Sequence, residues 1–514
     1  MSVDLYKAEA NRLADHLATI HGIKLKHTSV LAAIATLHGA RDWNTLIARP
    51  KPGLFERAAA ALSPASAAEP SVVVGIDDLL YDLPTGGLRF GLHHNAAAPA
   101  APRKFDLADK YVDVSDRNLL RHTLVVGPTG YGWSTLLEAL AVQQVIRGGG
   151  LLVLDSRSDL HMPRLLQQAT RSAGRTDNFT LLLDDSQEPL NLDVVDYDLF
   201  AGDNIADIAD RLMAAALPPS DNNPGADFYR SQCREFLSIS LNAMKAAGMP
   251  LNLKQLASQV LEIEQLAALA EKVKDVPEVG EQITKFLERF IKRTKNGTEL
   301  DAAAYRNGQA FSALISRLFL LTSEKRSATR RTRNFSVEQV LKQGQVGYVT
   351  GCCTDNKNGL VRGVLNELMR VFDLRRAEQS RSGRTTEHPF LLVVPNLTSV
   401  LDAGAIRRLL QTAVEANVAL VFHVSSLSVL DEVSTSFADD VLTNTRLKVF
   451  FKQLAPRAFE QALSCLEYAA GSASPEARQA RRERFMDLGM GEALFCDGRA
   501  VCDLRIRMVT SPSA

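Results

Sequence analysis

The sequence predicts an α/β fold: a mainly parallel sheet interrupted by an all-helical domain and preceded by a small helical module. Three observations carry that expectation. Short, wholly apolar runs such as Thr123–Val126, Leu151–Leu154 and Phe390–Val394 read as strands buried on both faces. A glycine-rich turn joins the first of them to a helical pattern from Trp133 to Ile146, the grammar of a crossover connection. Between about 203 and 330 the apolar residues recur at helical spacing with few β-branched runs.

The 514 residues suggest several domains at ~150 residues each. Apolar residues make up 46% and charged residues 23%, so a normal core is available. Collagen-like, mucin-like and wholly disordered classes are excluded. Lys+Arg and Asp+Glu are both 59, so any basic surface must be local. The six cysteines form no C-x-x-C pair, and Cys352-Cys353 is adjacent, so they read as reduced core thiols. The ten histidines show no metal-ligand spacing; His93-His94 reads as a loop pair and Asp184-Asp185 as a turn after a strand. No metal site is expected. The first 25 residues show no secretory pattern, and no stretch approaches the ~20 apolar residues of a membrane helix, so a cytoplasmic protein without a direct membrane span is expected.

In chain order, residues 1–48 form the N-terminal helical module. Leu5, Leu13, Leu17 and Ile20 mark one helix, and Val30, Leu31, Ile34 and Leu37 a second. Trp43 is placed as its core plug. Residues 49–71, with Pro50, Pro52, Pro64 and Pro70, read as a linker. The first part of the α/β core spans 72–202, opening with strand-like pieces at Ser71–Val74, Leu88–Leu92 and Tyr111–Val114. The helical insertion spans 203–330, with helices expected over Ile205–Ala216, Tyr229–Ala247, Leu253–Leu269, Glu278–Lys295 and Asp301–Leu320. The second part of the core spans 331–514. Its strands are Gln345–Thr350, Phe390–Val394, Ala419–Val424 and Leu447–Phe451, followed by a hairpin around Asp497-Gly498.

The most informative segment is Gly127-Pro128-Thr129-Gly130-Tyr131-Gly132-Trp133-Ser134-Thr135, set between a strand and a helix. Its glycines let successive N–H groups curl around an anion, and the helix N-terminus adds its positive end. Ser134 or Thr135 stands where a hydroxyl holds magnesium. The pattern G-x-x-x-x-G-K-[ST] fits at every fixed position except one, where Trp133 replaces the lysine. That lysine neutralises outer phosphates, whereas an indole is neutral and donates a single hydrogen bond.

This loop, the glycine run 148–150, the next strand and the turn Asp155-Ser156-Arg157-Ser158-Asp159 resemble the TraD/TraG coupling proteins of type IV secretion, members of the FtsK/HerA superfamily of hexameric DNA-pumping ATPases. The resemblance implies a RecA-like P-loop core over roughly residues 117–465, with Asp155 and Asp159 matching the family's D-P-K-G-D turn and Arg157 standing for its lysine. Pro224–Tyr229 resembles the opening of a helix in the family's all-helical domain, and Phe335–Gly351 the entry to the second half of the motor. The resemblance also implies ATP and Mg as ligands, DNA and secretion or mobility proteins as partners, and a homo- or hetero-oligomer, hexameric by analogy.

Against that pattern the chain departs at further positions. The strand matching the family's Walker B ends in Pro395-Asn396, not Asp-Glu. The next strand runs into Ser425-Ser426-Leu427, without the family's sensor glutamine. Asn hydrogen-bonds a water but is no base near neutral pH. The N-terminal module, ending Leu37–Trp43, stands where coupling proteins commonly carry membrane helices; it looks like small helical modules of plasmid mobility proteins.

Three functions follow as expectations: a coupling-protein-like pseudo-ATPase that recruits DNA or a mobility partner; a DNA-dependent ATPase completed by a partner residue; and an interaction scaffold that binds no nucleotide. Of three basic runs, Lys325, Arg326, Arg330, Arg331 and Arg333 are the best nucleic-acid candidates, because this run holds no acid after Glu324 and sits where the helical domain rejoins the core. The others lie at 375–384 and 478–484. Replacing Arg330, Arg331 and Arg333 with alanine should weaken duplex DNA binding and flatten its log–log salt slope by roughly two to three. Fluorescence anisotropy across a salt series measures this; a wild-type affinity independent of salt contradicts it.

Overall fold

A computed structural model describes residues 73–79, 83–93, 111–157, 159–183, 194–202, 204–217, 224–294, 297–307, 334–350, 358–382, 388–400, 403–470 and 474–510, with a few single positions between them. The N-terminal module, its linker and the 325–333 basic run lie outside the described residues. Ser71–Ala514 forms one compact unit.

The strands, in chain order, are β1 Val73–Gly75, β2 Gly87–His93, β3 Tyr111–Ser115, β4 Thr123–Val126, β5 Leu151–Asp155, β6 Phe179–Leu183, β7 Val194–Tyr197, β8 Ile291–Thr294, β9 Gly297–Leu300, β10 Asn334–Phe335, β11 Val346–Thr350, β12 Phe390–Val394, β13 Val418–Val424, β14 Leu447–Phe451, β15 Glu492–Cys496, β16 Val501–Arg505 and β17 Met508–Thr510. One 13-stranded sheet has the order β10-β7-β6-β11-β5-β12-β13-β4-β14-β15-β16-β2-β3. From β10 to β14 neighbouring strands are parallel. From β14 to β3 they are antiparallel. The α/β fold with a mainly parallel, RecA-type sheet is therefore the observed architecture.

The strands are apolar throughout because both faces are covered. The period of two sends Leu124, Val126, Leu152 and Leu154 into one core and Val125, Leu151 and Val153 into the other. The second core is roofed by the helices Trp133–Ile146 and His161–Ser172. The first is roofed by Ile205–Ala216, Pro224–Ala246 and Asn358–Ser382. The helical insertion thus shares its core with one face of the sheet.

Several expected helices are shorter or broken. The helix expected over Glu278–Lys295 ends at Glu288, and the chain turns into the antiparallel pair β8–β9. The pairing of Thr294 with Gly297 leaves a two-residue connection, and Ile291, Thr294 and Thr298 supply the branched residues a strand accommodates. The run Leu253–Leu269 is two helices, Leu253–Val260 and Ile263–Val273, the first capped by the Asn252 side chain accepting from the Gln255 N–H at 2.8 Å. The helix expected from Asp301 to Leu320 is described as Ala302–Asn307, and much of its remainder lies outside the described residues.

A buried polar knot ties the insertion to the sheet. The Tyr197 hydroxyl, at the end of β7, donates to Glu367 Oε2 at 2.7 Å, and Arg211 Nη1 lies 3.6 Å from the same oxygen. Burial, and then the Glu367 carboxylate, push the Tyr197 phenol well above its ordinary pKa, so it stays a donor. The pair holds two helices and a strand in register. Glu367→Ala should strand the buried Arg211 guanidinium and cost about 3–5 kcal/mol in urea unfolding. The double change Arg211→Met with Glu367→Leu should recover most of that loss.

Candidate functional site

The sheet order brings the C-terminal ends of β5, β12, β13 and β4 side by side. Side chains within these strands are consumed by the two cores, so polar chemistry gathers where the strands end. Gly127–Gly132 leaves β4, Asp155 and Arg157 leave β5, and Pro395-Asn396 leaves β12. The structure therefore brings the predicted loop, the turn after β5 and the Pro395-Asn396 strand end together at one edge.

The loop holds its shape through backbone features. Gly132 has φ 103° and caps the Trp133–Ile146 helix. A side chain there would be strained by that φ, and its Cβ would lie 3.2 Å from Gly491 Cα. The Gly491 N–H donates to the Tyr131 carbonyl at 3.0 Å, so the turn before β15 packs directly on the loop.

Trp133 is 5% exposed, and its ring lies flat on the His423 imidazole of β13, with centroids 3.6 Å apart and planes 11° apart. The Arg157 guanidinium carbon stands 5.0 Å from the centroid of the Trp133 ring. The indole thus packs into the core at the start of the helix.

His423 is fixed from both ends. Its Nε2 lies 2.9 Å from the Gly127 carbonyl oxygen, which only accepts, so Nε2 carries the hydrogen. Its Nδ1 accepts a long 3.4 Å hydrogen bond from the Asn396 N–H, so Nδ1 carries none. Burial, helped by nearby Arg157 and opposed by the Gly127 hydrogen bond, brings its pKa down to about 4. The neutral Nε2–H tautomer is the only form that satisfies both partners. Asn396 reaches its position with φ 57°, a left-handed conformation that Asn tolerates better than most residues.

Arg157 and Asp155 form their own closed unit. Arg157 Nη2 donates to Asp155 Oδ2 at 2.9 Å, and the Arg157 backbone N–H donates to Oδ1 at 2.9 Å. The Tyr348 hydroxyl of β11 donates to Asp155 Oδ2 at 2.8 Å. Burial first, then the carboxylate, push the Tyr348 phenol well above its ordinary pKa. Asp155 is 1% exposed and surrounded by donors. Outside this unit, Glu138 meets His161 Nδ1 at 3.2 Å, and burial raises the Glu138 pKa.

Ser134 and Thr135 are half-buried on the first turn of the helix. His423, Tyr348 and Glu138 were not singled out by sequence reasoning. The available signal for His423 was a lone imidazole in the otherwise apolar strand VALVFHV. Of the other basic runs, Arg376 pairs with Glu415 at 3.3 Å, Arg482 with Glu460, and Arg484 with Asp503 at 2.6 Å. Those arginines are neutralised locally. Among the described residues no cluster has the composition of a metal site, and no helix is long and apolar enough to cross a membrane. The described cysteines Cys233, Cys465, Cys496 and Cys502 are free thiols.

An α/β RecA-type sheet with a glycine-rich strand–helix loop at its carboxyl edge defines the class. The solved structures it resembles include the bacterial conjugative coupling protein TrwB in an unbound form, at 15% identity and TM-score 0.54, covering 86% of this chain and 94% of that one. The same coupling protein in complex with ADP and Mg2+ matches at 15% identity and TM-score 0.53, covering 83% and 97%. VirB4 of Thermoanaerobacter pseudethanolicus aligns at 13% identity and TM-score 0.43, covering 84% and 98%. At 15% identity the likeness to the coupling protein is one of fold. A family profile described as "Glyoxalase superfamily protein" matches residues 1–66. No curated protein sequence matches the chain.

His122, the residue just before β4, is likewise pushed down to about 4 by burial. From about pH 6.5 to about 4 the unfolded chain takes up protons at both rings that the folded chain refuses. Stability should therefore fall as pH drops through that window, by up to about 3 kcal/mol per ring, and level off below it. His423→Phe, which keeps a flat ring against Trp133, should lower stability at pH 7 yet shrink the loss between pH 7 and pH 4.5. Denaturant unfolding at the two pH values reads this directly.

Proposed function

We propose that this chain is a coupling-protein-like pseudo-ATPase subunit, which keeps the motor fold as an assembly and docking frame and serves plasmid DNA transfer by recruiting DNA or a mobility or secretion partner. The observation that carries the reading is the Trp133–His423 stack. The position that supplies a phosphate-neutralising ammonium in a P-loop holds a buried, neutral ring. Arg157, whose guanidinium carbon stands 5.0 Å from the indole centroid, is engaged by Asp155. At the strand end where two carboxylates would bind magnesium and polarise water, Pro395 and Asn396 supply neither. These residues do not fit ATP hydrolysis with Mg, although the similar coupling protein has been solved with ADP and Mg2+.

The losses act on separate steps. Without the ammonium the outer phosphate charge is uncompensated, and without the carboxylates neither metal nor water is held. One loss invites rescue by an arginine from a neighbouring protomer; several together remove what such an arginine would act upon. The loop's packing against Gly491 also supports a role in which the edge is a rigid surface rather than a moving catalytic clamp.

The test is ATP turnover by the purified chain, alone and with single- and double-stranded DNA. The expected result is no release of phosphate above the blank, and no micromolar Mg-ATP binding, a level equal to about 8 kcal/mol. Turnover that Ser134→Ala abolishes would overturn the reading.

A further inference from the structure

A cavity of about 670 Å³ opens at the other end of the sheet from the glycine-rich loop. Its floor is the start of β14, where Leu447 lies beside Thr123 of β4, whereas the loop follows the end of β4. The two sites are separated by the length of the strands, ~13 Å at 3.3 Å per residue. The volume suits a small organic ligand.

The walls are mostly apolar. Leu442 and the Cys465 and Cys496 thiols line it, and Tyr468, 91% exposed, stands at the mouth. Burial raises the pKa of both thiols, so they act as neutral, apolar lining. Against these walls stand two cations. Lys448 Nζ donates to the carbonyls of Leu442 at 2.9 Å and Thr445 at 2.7 Å, the C-terminal end of the Thr435–Asn444 helix. An ammonium has three donors, so one N–H remains beyond those two carbonyls. Burial lowers the Lys448 pKa, so a neighbouring anion would relieve a desolvated charge.

The second cation, Arg446, is exposed, and its guanidinium makes no side-chain hydrogen bond or ion pair among the described residues. Its stem lies on Gly498. A Cβ at Gly498 would stand 2.9 Å from Arg446 Cγ and 3.0 Å from Nε, and Gly498 has φ 81°. The β15–β16 turn therefore leaves a place for the arginine that no other residue at 498 would leave. Asp439 on the rim is the one acid in the lining, so the cations outnumber it and a single negative charge balances the site.

We propose that this cavity binds a small amphiphilic carboxylate, an aliphatic or aryl acid with one carboxylate and an apolar body. The carboxylate would meet Arg446 and the remaining Lys448 N–H, and the body would lie along Leu442 and the two thiols. The proposal is independent of the nucleotide question, because no residue is shared with the loop.

The probe is octanoate, titrated into the full chain by calorimetry, with octanol as the uncharged control. Saturable one-to-one binding is expected, at least tenfold weaker for octanol and at least tenfold weaker in Arg446→Ala. Arg446 is exposed, so that variant should fold, and its melting curve checks this. Gly498→Ala, which displaces the arginine stem, should weaken binding in the same direction. Octanoate should also slow N-ethylmaleimide labelling of the partly exposed Cys465, read by mass spectrometry. No saturation at millimolar octanoate, equal binding by octanol, unchanged binding in Arg446→Ala, or labelling indifferent to the ligand would each overturn the proposal.

Discussion

Parallel strands buried on both faces leave no room within the sheet for charge. Leu124 and Val126 face one core and Val125 the other, and the same alternation holds in β5. Polar chemistry is thereby forced to strand ends, and the sheet order decides which ends are neighbours. The adjacency of β5, β12, β13 and β4 is what makes the glycine-rich loop, Asp155, Asn396 and His423 a single site.

At that site packing of uncharged rings dominates. A lysine in the Trp133 position would need counter-charge from phosphate to justify its place. The indole needs none: it contributes a stacked pair worth about 0.5–1.5 kcal/mol beyond its area burial. His423 converts this into a three-way tether, since one neutral ring touches the loop carbonyl of Gly127, the N–H of Asn396 and the face of Trp133. The ends of β4, β12 and β13 are locked by a group that protonation would disrupt, which is why burial and tautomer belong to one argument.

The helical insertion shows the same economy. It packs onto the face of the sheet opposite the Trp133–Ile146 helix and contributes to the larger core. The Tyr197–Glu367–Arg211 knot fixes its approach, and buried charge in such a place adds specificity of arrangement more readily than stability.

Most strands were legible in the sequence because a buried parallel strand is a short apolar run, and β4, β12 and β14 begin and end where those runs do. The helix Trp133–Ile146 was legible for a related reason, with glycine-rich punctuation at both ends. The short strands β7 and β10 were not, because their residues carry too little pattern to outweigh their surroundings. The hairpin β8–β9 was hidden by helical composition upstream. The sequence by itself determined the residue types at the site: a tryptophan straight after the glycine-rich loop, and Pro395-Asn396 straight after β12. Only the tertiary structure decided what the tryptophan does there. A ring at the start of a helix can point to solvent or to the core, and the imidazole from a strand 290 residues further along the chain (Trp133 to His423) gives it a buried face to lie on.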